Sequence, residues 1–171
     1  GCVINDFFDR SFDGNVERTK NRPLVLGELN SYEAILWFLG LTGMALWLAL
    51  QLNRLALEVA FCVFCLSFIY PLTKRFTYLP QFFLGAAVAG AVPMAFAAVQ
   101  NQLPVELWLV YIISVLWPVM YDTLYAMVDR EDDREIGVKS MALLFGKRDR
   151  FFVMLLQIIL LILFVLMGSV F

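Results

Sequence analysis

Two stretches of the chain carry oxygen-bearing side chains at spacings that could bind a metal ion. The first, NDFFDRSFD, follows the apolar residues GCVI and begins at Asn5. Asn5, Asp9 and Asp13 are spaced i, i+4 and i+8, so on a helix they lie along one stripe. Asp6 points about a quarter-turn away by the same geometry, and we expect it to have a supporting or capping role.

The second stretch is YDTLYAMVDREDDREIG. Asp122, Asp129 and Asp133 are spaced i, i+7 and i+11, so they share one face if a single helix continues through all three. Carboxylates stacked in this way repel one another, and within a membrane they are costly. A hard divalent cation would offset both costs, and Mg²⁺ accepts carboxylate and amide oxygens together with substrate phosphates. The two stretches therefore indicate a magnesium site.

Basic residues accompany the acidic ones. Arg18 and Arg22 follow the first stretch directly, and Lys74 ends an apolar segment that lies between the two stretches. Arginine suits bidentate contact with phosphate, and lysine supplies a compact positive charge. We expect these bases to face phosphate while the acids face the metal. The combination predicts a pocket for a lipid diphosphate whose tail lies among helices.

The elements that position these residues are predicted to be membrane helices. Of the 171 residues, 61% are hydrophobic and 16% are charged, whereas about a quarter are charged in an ordinary soluble domain. A helix that crosses a bilayer needs roughly 20 apolar residues. We therefore expect an all-α, polytopic transmembrane helix bundle with five complete spans and, at Gly1, the end of another. The five spans are 33–53, 55–73, 80–99, 105–128 and 151–171.

Composition also removes several classes of function. The chain has no histidine, which excludes histidine general bases, histidine-ligated zinc and Ser-His-Asp triads. A net charge of −2 is too small to indicate binding to nucleic acid. Cys62 and Cys65 lie within an apolar span, where we interpret them as small hydrophobic residues.

The loops between the spans differ in charge. Twelve of the thirteen basic residues fall on the side that holds 10–32, 74–79 and 129–150, and Arg54 falls on the other. The positive-inside rule makes the basic side cytoplasmic. Both acidic stretches reach this side, so the sequence predicts a site that faces the cytoplasm.

Two features predict how the helices pack. Small residues crowd the third span, Gly85 and Gly90 among them, and in lipid such residues let helices approach closely. Pro93 and Pro118 should bend their helices, because proline removes a backbone hydrogen bond.

Three other interpretations stay open on these residues alone. A stripe of aspartates at a helix end is also typical of a solvated or N-capping surface. A CDP-alcohol phosphotransferase has a related signature, but two of its required aspartates are replaced here by Ser31 and Ile35. A cation or proton transporter needs acids deep in its spans, and the candidates here are Glu58, Glu106 and Asp122.

Three motifs of the chain resemble those of one family. NDFFDRSFDGNVERTKNRPL is similar to NDxxDxxxD followed by RTxxRP, the first signature of the UbiA family of intramembrane aromatic prenyltransferases. YDTLYAMVDREDDREIGVKS resembles the family's second, aspartate-rich signature, and YPLTK matches the YxxxK pattern between the two. The resemblance spans essentially the whole chain. It is strongest to the branch that prenylates 4-hydroxybenzoate for ubiquinone.

The resemblance implies a nine-helix fold in a bacterial inner membrane, with the active site open to the cytoplasm. By that count the chain would begin in helix two and end in helix seven, so residues 1–171 would form a single, incomplete prenyltransferase domain. The implied cofactor is Mg²⁺, with one ion on the first signature and a second on the other. The implied metal ligands are Asn5, Asp9, Asp13, Asp129 and Asp133.

The resemblance also implies the substrates, polyprenyl diphosphate and 4-hydroxybenzoate, in contact with membrane lipid. Asp122 would orient the aromatic acceptor or take its proton, and Asp122 and Lys74 would be the catalytic residues. The prenyl group would join the ring carbon ortho to the hydroxyl. The implied diphosphate contacts are Arg18, Arg22, Tyr70 and Lys74.

Overall fold

A computed structural model describes residues 1–170, and Phe171 lies outside the described residues. Ten α-helices and one short 3-10 helix, Gly146–Arg148, run along this part of the chain, which contains no strand. The all-α prediction is confirmed. The α-helices are α1 (Cys2–Asp13), α2 (Pro23–Leu26), α3 (Ser31–Ala49), α4 (Arg54–Thr73), α5 (Pro80–Ala89), α6 (Ala91–Gln100), α7 (Leu107–Val128), α8 (Arg130–Ile136), α9 (Met141–Phe145) and α10 (Asp149–Val170).

Five stretches of helix are long and apolar enough to cross a membrane, so the protein is an integral membrane protein with the predicted number of spans. Most of their large side chains face outward; Trp37 and Phe61, for example, are exposed on 63% and 67% of their surface. In a membrane these surfaces contact lipid or other helices. The spans are Ser31–Ala49, Arg54–Thr73, Pro80–Gln100, Leu107–Val128 and Met141–Val170.

Asparagine side chains begin two of the spans. Asn30 caps α3 by accepting the N–H of Glu33, whose carboxylate accepts the N–H of Asn30 in return. Asn53 caps α4 and also donates to the carbonyl of Ala97 at 2.5 Å, which ties the start of α4 to α6. The predicted first span, 33–53, was therefore too long, because α3 ends at Ala49 and Asn53 is the N-cap residue of the next helix.

Glycine allows the close packing predicted for the third span. A Cβ on Gly85 would lie 2.5 Å from the carbonyl oxygen of Val115, so the backbones of α5 and α7 approach closely at this point. A Cβ on Gly90 would collide with the side chain of Val63 on α4. The third span therefore fits tightly between α4 and α7.

Pro93 and Pro118, the two prolines predicted to bend their helices, differ in effect. The third span is interrupted between Ala89 and Ala91, where Pro93 lacks the N–H that would bond to the carbonyl of Ala89. The interruption at Gly90, whose backbone angles are still helical, lies one residue beyond the carbonyl that Pro93 leaves without its helical partner, and the predicted bend stays a prediction. At Pro118, α7 continues without interruption from Leu107 to Val128.

The three basic loops gather at one end of the bundle. The N–H of Lys139 donates to the carbonyl of Lys74 at 3.0 Å, which joins two of the loops. Beneath them Val119, Met141 and Leu156 form a buried core that packs α9 and α10 on α7. An ion pair between Arg130 and buried Asp149 fastens the start of α8 to the start of α10. Both acidic stretches are held at this end.

Candidate active site

The first acidic stretch forms the stripe that its spacing predicts. α1 spans Cys2–Asp13, and Asp9 and Asp13 are both buried. Oδ2 of Asp9 accepts a hydrogen bond from Nζ of Lys74 at 2.6 Å, and Oδ2 of Asp13 accepts one from Nη1 of Arg22 at 2.6 Å. The same Nη1 donates to Asp6 at 2.8 Å, so Asp6 supports the stripe by helping to hold Arg22.

Asn5 leaves an oxygen available. Its Nδ2 donates weakly to Asp6 at 3.4 Å, whereas its Oδ1 is buried and has no hydrogen-bond partner among the described residues. An unsatisfied buried acceptor costs about 1–3 kcal/mol. The amide oxygen is therefore free to ligate a cation.

The second acidic stretch is divided between two helices. α7 ends at Val128, Asp129 has backbone angles φ −82° and ψ 3°, and α8 begins at Arg130. The N–H of Asp129 donates to the carbonyl of Tyr125 at 3.2 Å, and the N–H of Asp133 donates to the carbonyl of Asp129 at 2.8 Å. These bonds keep the backbone close to helical geometry through the junction. The condition for one shared helical face, a single helix through all three residues, is still not met. Even so, the three aspartates Asp122, Asp129 and Asp133 line one small cavity of about 80 Å³.

A larger cavity of about 330 Å³ lies between the two acidic stretches. Four acidic and four basic residues line it, so its lining has no net charge. The residues that it shares with the smaller cavity are Arg18, Lys74, Asp129, Asp133 and Val138. The charged lining consists of Asp9, Asp13, Asp129, Asp133, Arg18, Arg22, Lys74 and Arg75.

Arg18 connects the loop after α1 to the second stretch. Its Nε and Nη2 both reach Oδ2 of Asp129, at 3.0 and 2.5 Å. The guanidinium also lies over the ring of Tyr125, 5.3 Å from its centroid. The hydrogen bonds to Asp129 raise the pKa of Arg18, although burial opposes them. Arg18 thus carries a fixed positive charge between the two stretches.

Lys74 follows the last residue of α4, at the inner edge of both cavities. Burial alone would lower the pKa of Lys74, but the oxygens of Tyr70 and Asp9 outweigh it and raise this pKa. The ammonium group lies 5.3 Å from the centroid of the Tyr70 ring. Tyr70 lines the smaller cavity and is not among the residues that line the larger one.

The carboxylates suit a hard cation but are not preassembled around one. No group of three acidic residues within 1–170 is placed to share a metal ion. Instead Lys74 pairs with Asp9, Arg18 pairs with Asp129, and Arg22 pairs with both Asp13 and Asp6. The expected contacts of these bases with phosphate stay a prediction. Burial and the neighbouring Asp129 raise the pKa of Asp133 to about 6. The carboxylate oxygens and Oδ1 of Asn5 are ligands that Mg²⁺ prefers.

The structure adds residues that the motifs did not identify. Gln81, which is 2% exposed, lines the smaller cavity beside Asp122, and its Oε1 accepts the N–H of Met141 at 3.3 Å. Its signal in the sequence is a lone amide within an apolar span. Arg75 lines the larger cavity and donates to the carbonyl of Phe8 at 3.2 Å. Asp132 accepts the backbone N–H of Glu17, a contact that spacing does not reveal.

Comparison with known proteins matches the whole chain to one family. Residues 1–171 match the profile described as the UbiA prenyltransferase family. The 4-hydroxybenzoate octaprenyltransferases of Alcanivorax borkumensis and Vibrio campbellii are each 51% identical, over 168 and 169 residues. These alignments cover 98% and 99% of this chain but 58% and 60% of the relatives. The chain therefore spans somewhat over half the length of the curated relatives that it matches.

Solved structures show the same fold. The apo structure of a UbiA homolog from Aeropyrum pernix superposes with a TM-score of 0.82 at 30% identity, over 96% of this chain and 63% of that one. A UbiA homolog from Archaeoglobus fulgidus bound to GPP and Mg²⁺ gives a TM-score of 0.76 at 20% identity, over 99% of this chain and 61% of that one. The helix arrangement described above is therefore the one found in these homologs.

Proposed function

The chain belongs to the UbiA prenyltransferase family, and from that premise we propose that it transfers a polyprenyl group from polyprenyl diphosphate to 4-hydroxybenzoate. The prenyl group joins the ring carbon ortho to the hydroxyl, and the reaction depends on Mg²⁺. We place the reaction in ubiquinone biosynthesis, in a bacterial inner membrane with the site open to the cytoplasm. The acceptor is inferred from the curated relatives at 51% identity, which are named for it.

One observation carries the proposal: the two acidic stretches, more than a hundred residues apart, line the same cavity together with four bases. A solvated capping surface would not bury Asp9 and Asp129 at 5% and 8% exposure and pair each with a base from another element. A transporter would need acids along its spans, but Glu58 pairs with Arg54 on an exposed surface. The family match disfavours the phosphotransferase.

The donor set supports two metal positions. Asn5, Asp9 and Asp13 would hold one Mg²⁺, and Asp129 and Asp133 would hold the other. When bound, Mg²⁺ supplies positive charge that offsets the carboxylates and the diphosphate together. A similar fold binds GPP and Mg²⁺ in the Archaeoglobus fulgidus homolog.

The basic residues are placed to receive the diphosphate. Lys74, Arg18 and Arg22 each hold a carboxylate in the structure, and in the proposed reaction they turn their N–H groups to phosphate oxygens. Charge-assisted hydrogen bonds of this kind stabilise the leaving group as its negative charge grows. The bond between the allylic carbon and the diphosphate oxygen then breaks, and its electron pair leaves with the diphosphate.

The acceptor completes the reaction. The ring carbon ortho to the hydroxyl attacks the allylic cation and then loses its proton, so the products are prenylated 4-hydroxybenzoate, diphosphate and a proton. Asp122 lines the smaller cavity with Tyr70 and Lys74, where its carboxylate orients the acceptor or accepts the proton. Apolar helix surfaces beneath the site keep water away from the cation.

The test is transfer by the full-length protein in lipid membranes. Radiolabelled polyprenyl diphosphate and 4-hydroxybenzoate should give a prenylated aromatic acid with Mg²⁺ and none after chelation of Mg²⁺. A panel of other aromatic acceptors should react more slowly. Transfer to a different aromatic in preference to 4-hydroxybenzoate would refute the acceptor, and Mg²⁺-independent transfer would refute the metal.

A further inference from the structure

A hydrogen bond outside the cavity joins the two signature segments. Oδ2 of Asp132, on α8, accepts the backbone N–H of Glu17 at 2.9 Å, although the two residues lie 115 positions apart. Neither residue is among those that line the larger or the smaller cavity. The contact therefore fastens the loop after α1 to α8 from outside the site.

This contact lies beside a residue of the proposed site. Arg18 follows Glu17 directly, and its side chain reaches Asp129, which precedes Asp132 by three residues. Consecutive residues of the loop thus attach to one short segment of the second signature, Glu17 through its backbone and Arg18 through its guanidinium. The first attachment involves no group that the proposed reaction uses.

The two attachments would respond differently to substrate. In the proposed reaction Asp129 exchanges Arg18 for a cation, and Arg18 turns to phosphate. Arg18 then loses the carboxylate that positions it, and its side chain is already 42% exposed. The bond from Glu17 to Asp132 remains, because neither group lines the cavity. It keeps the backbone of Arg18 at a fixed distance from the site.

We propose that Asp132 is a positioning residue, which holds the loop of the first signature on α8 so that Arg18 stays at the cavity when diphosphate binds. The inference rests on the proposed function for its effect on catalysis, but the contact itself can be measured without substrate. Loss of the contact should weaken binding of the prenyl diphosphate, because Arg18 must then be ordered from a freer loop.

The chain offers well-matched variants. Asp132→Ala removes the acceptor, whereas Asp132→Asn keeps an oxygen that can accept the same N–H but removes the charge. Glu17→Ala is the control, because the donor is the backbone N–H, which alanine retains. The carboxylate of Glu17 is engaged elsewhere, with Nζ of Lys20 at 2.6 Å.

The first measurement is hydrogen–deuterium exchange at the Glu17 amide, on the full-length protein in lipid nanodiscs without Mg²⁺ or substrate. Asp132→Ala should speed exchange of this amide by at least about fivefold, since its acceptor is gone. Asp132→Asn should stay within about twofold of the unaltered protein. An unchanged exchange rate in Asp132→Ala would show that Asp132 does not hold the Glu17 amide and would overturn the inference.

The second measurement is steady-state transfer with varied polyprenyl diphosphate. Asp132→Ala should raise KM for the diphosphate substrate by about five- to tenfold, the range of one hydrogen bond, with kcat within about twofold. Asp132→Asn should have a KM much closer to that of the unaltered protein, and Glu17→Ala should have the same KM as the unaltered protein. An unchanged KM in Asp132→Ala, or equal increases in KM in the Asn and Ala variants, would overturn the positioning role.

The two claims fail in different ways. If the unaltered protein transfers no prenyl group, the proposed function is refuted, while the exchange experiment still decides whether Asp132 holds Glu17. If transfer is robust but KM is unchanged by Asp132→Ala, the proposed function stands and the positioning role is refuted.

Discussion

At the scale of residues, three bases of the site each have two possible partners in the proposed mechanism, a carboxylate and a phosphate. Lys74 holds Asp9, Arg22 holds Asp13 and Arg18 holds Asp129, all at 2.5–2.6 Å. These pairs keep the carboxylates from lying unpaired in a partly buried cavity, which would be costly. In the proposed mechanism the carboxylates would hold Mg²⁺ and the bases would donate to the diphosphate, so each member of a pair would gain a new partner when both bind. Binding of metal and of diphosphate should therefore be cooperative.

Lys74 provides the test at this scale. Lys74→Met removes the charged group that we propose donates to the leaving group, so kcat/KM for prenyl transfer should fall by about a hundredfold or more. Lys74→Arg keeps the charge and should lose less. Initial rates of the full-length variants in membranes measure both effects.

Lys139→Met is the matched control for Lys74. Its ammonium contacts the carbonyl of Phe76 and the ring of Tyr78. Lys139 lines the smaller cavity, but its ammonium donates to a backbone carbonyl rather than to a carboxylate. Its loss should lower kcat/KM by less than about fivefold. Equal losses at Lys74 and Lys139 would remove Lys74 from the catalytic residues.

At the scale of elements, the periodic part of the site was predictable and the long-range part was not. The stripe of Asp9 and Asp13 follows from local helix geometry, because α1 is regular through Asp13. The break at Asp129 depends on how α8 packs against α9 and α10, which local spacing does not encode. The pairing of Arg18 with Asp129 spans 111 positions, so only the assembled bundle reveals it.

Glycine packing between helices gives the test at this scale. Gly85→Ala places a Cβ 2.5 Å from the backbone oxygen of Val115, so α5 and α7 must separate. Overpacking of this kind typically costs about 1–3 kcal/mol, and we expect a lower thermal unfolding temperature in detergent. The rate of prenyl transfer should also fall in Gly85→Ala, because α7 carries Asp122.

Gly43→Ala is the control on α3. A Cβ at Gly43 meets nothing within 4 Å, and alanine favours a helix over glycine by about 1 kcal/mol. This variant should be neutral or more stable. A lower unfolding temperature in Gly43→Ala than in Gly85→Ala would contradict the packing described here.

At the scale of the whole molecule, the site forms where the basic loops converge. Contacts from Lys139 to Lys74 and from Asp132 to Glu17 bring the three loops together at one end of the bundle, as the distribution of charge predicted. That this end faces the cytoplasm follows from the positive-inside rule and stays a prediction, as does the action of residues 1–171 as one domain.

Membrane orientation can be measured by labelling. In a cysteine-free background, single cysteines that replace Lys20 and Lys147 should resist an impermeant thiol reagent applied outside the cell. A cysteine that replaces Asn101, in the connection between α6 and α7, should react. Labelling of position 147 from outside would show that the membrane orientation is the reverse of the predicted one.

The most direct test of the central claim, that both acidic stretches serve one metal–diphosphate assembly, is a double-mutant cycle between Asp9 and Asp129. Asp9→Ala and Asp129→Ala should each lower kcat/KM for prenyl transfer by about a hundredfold or more, which is at least about 2.7 kcal/mol. The double variant should be scarcely worse than either single one, because groups that act as a unit are non-additive. Higher Mg²⁺ should partly restore a single variant, and Glu131→Ala, an exposed neighbour paired with Arg134, should change little. Fully additive losses would show that the two stretches act independently and would contradict the shared site.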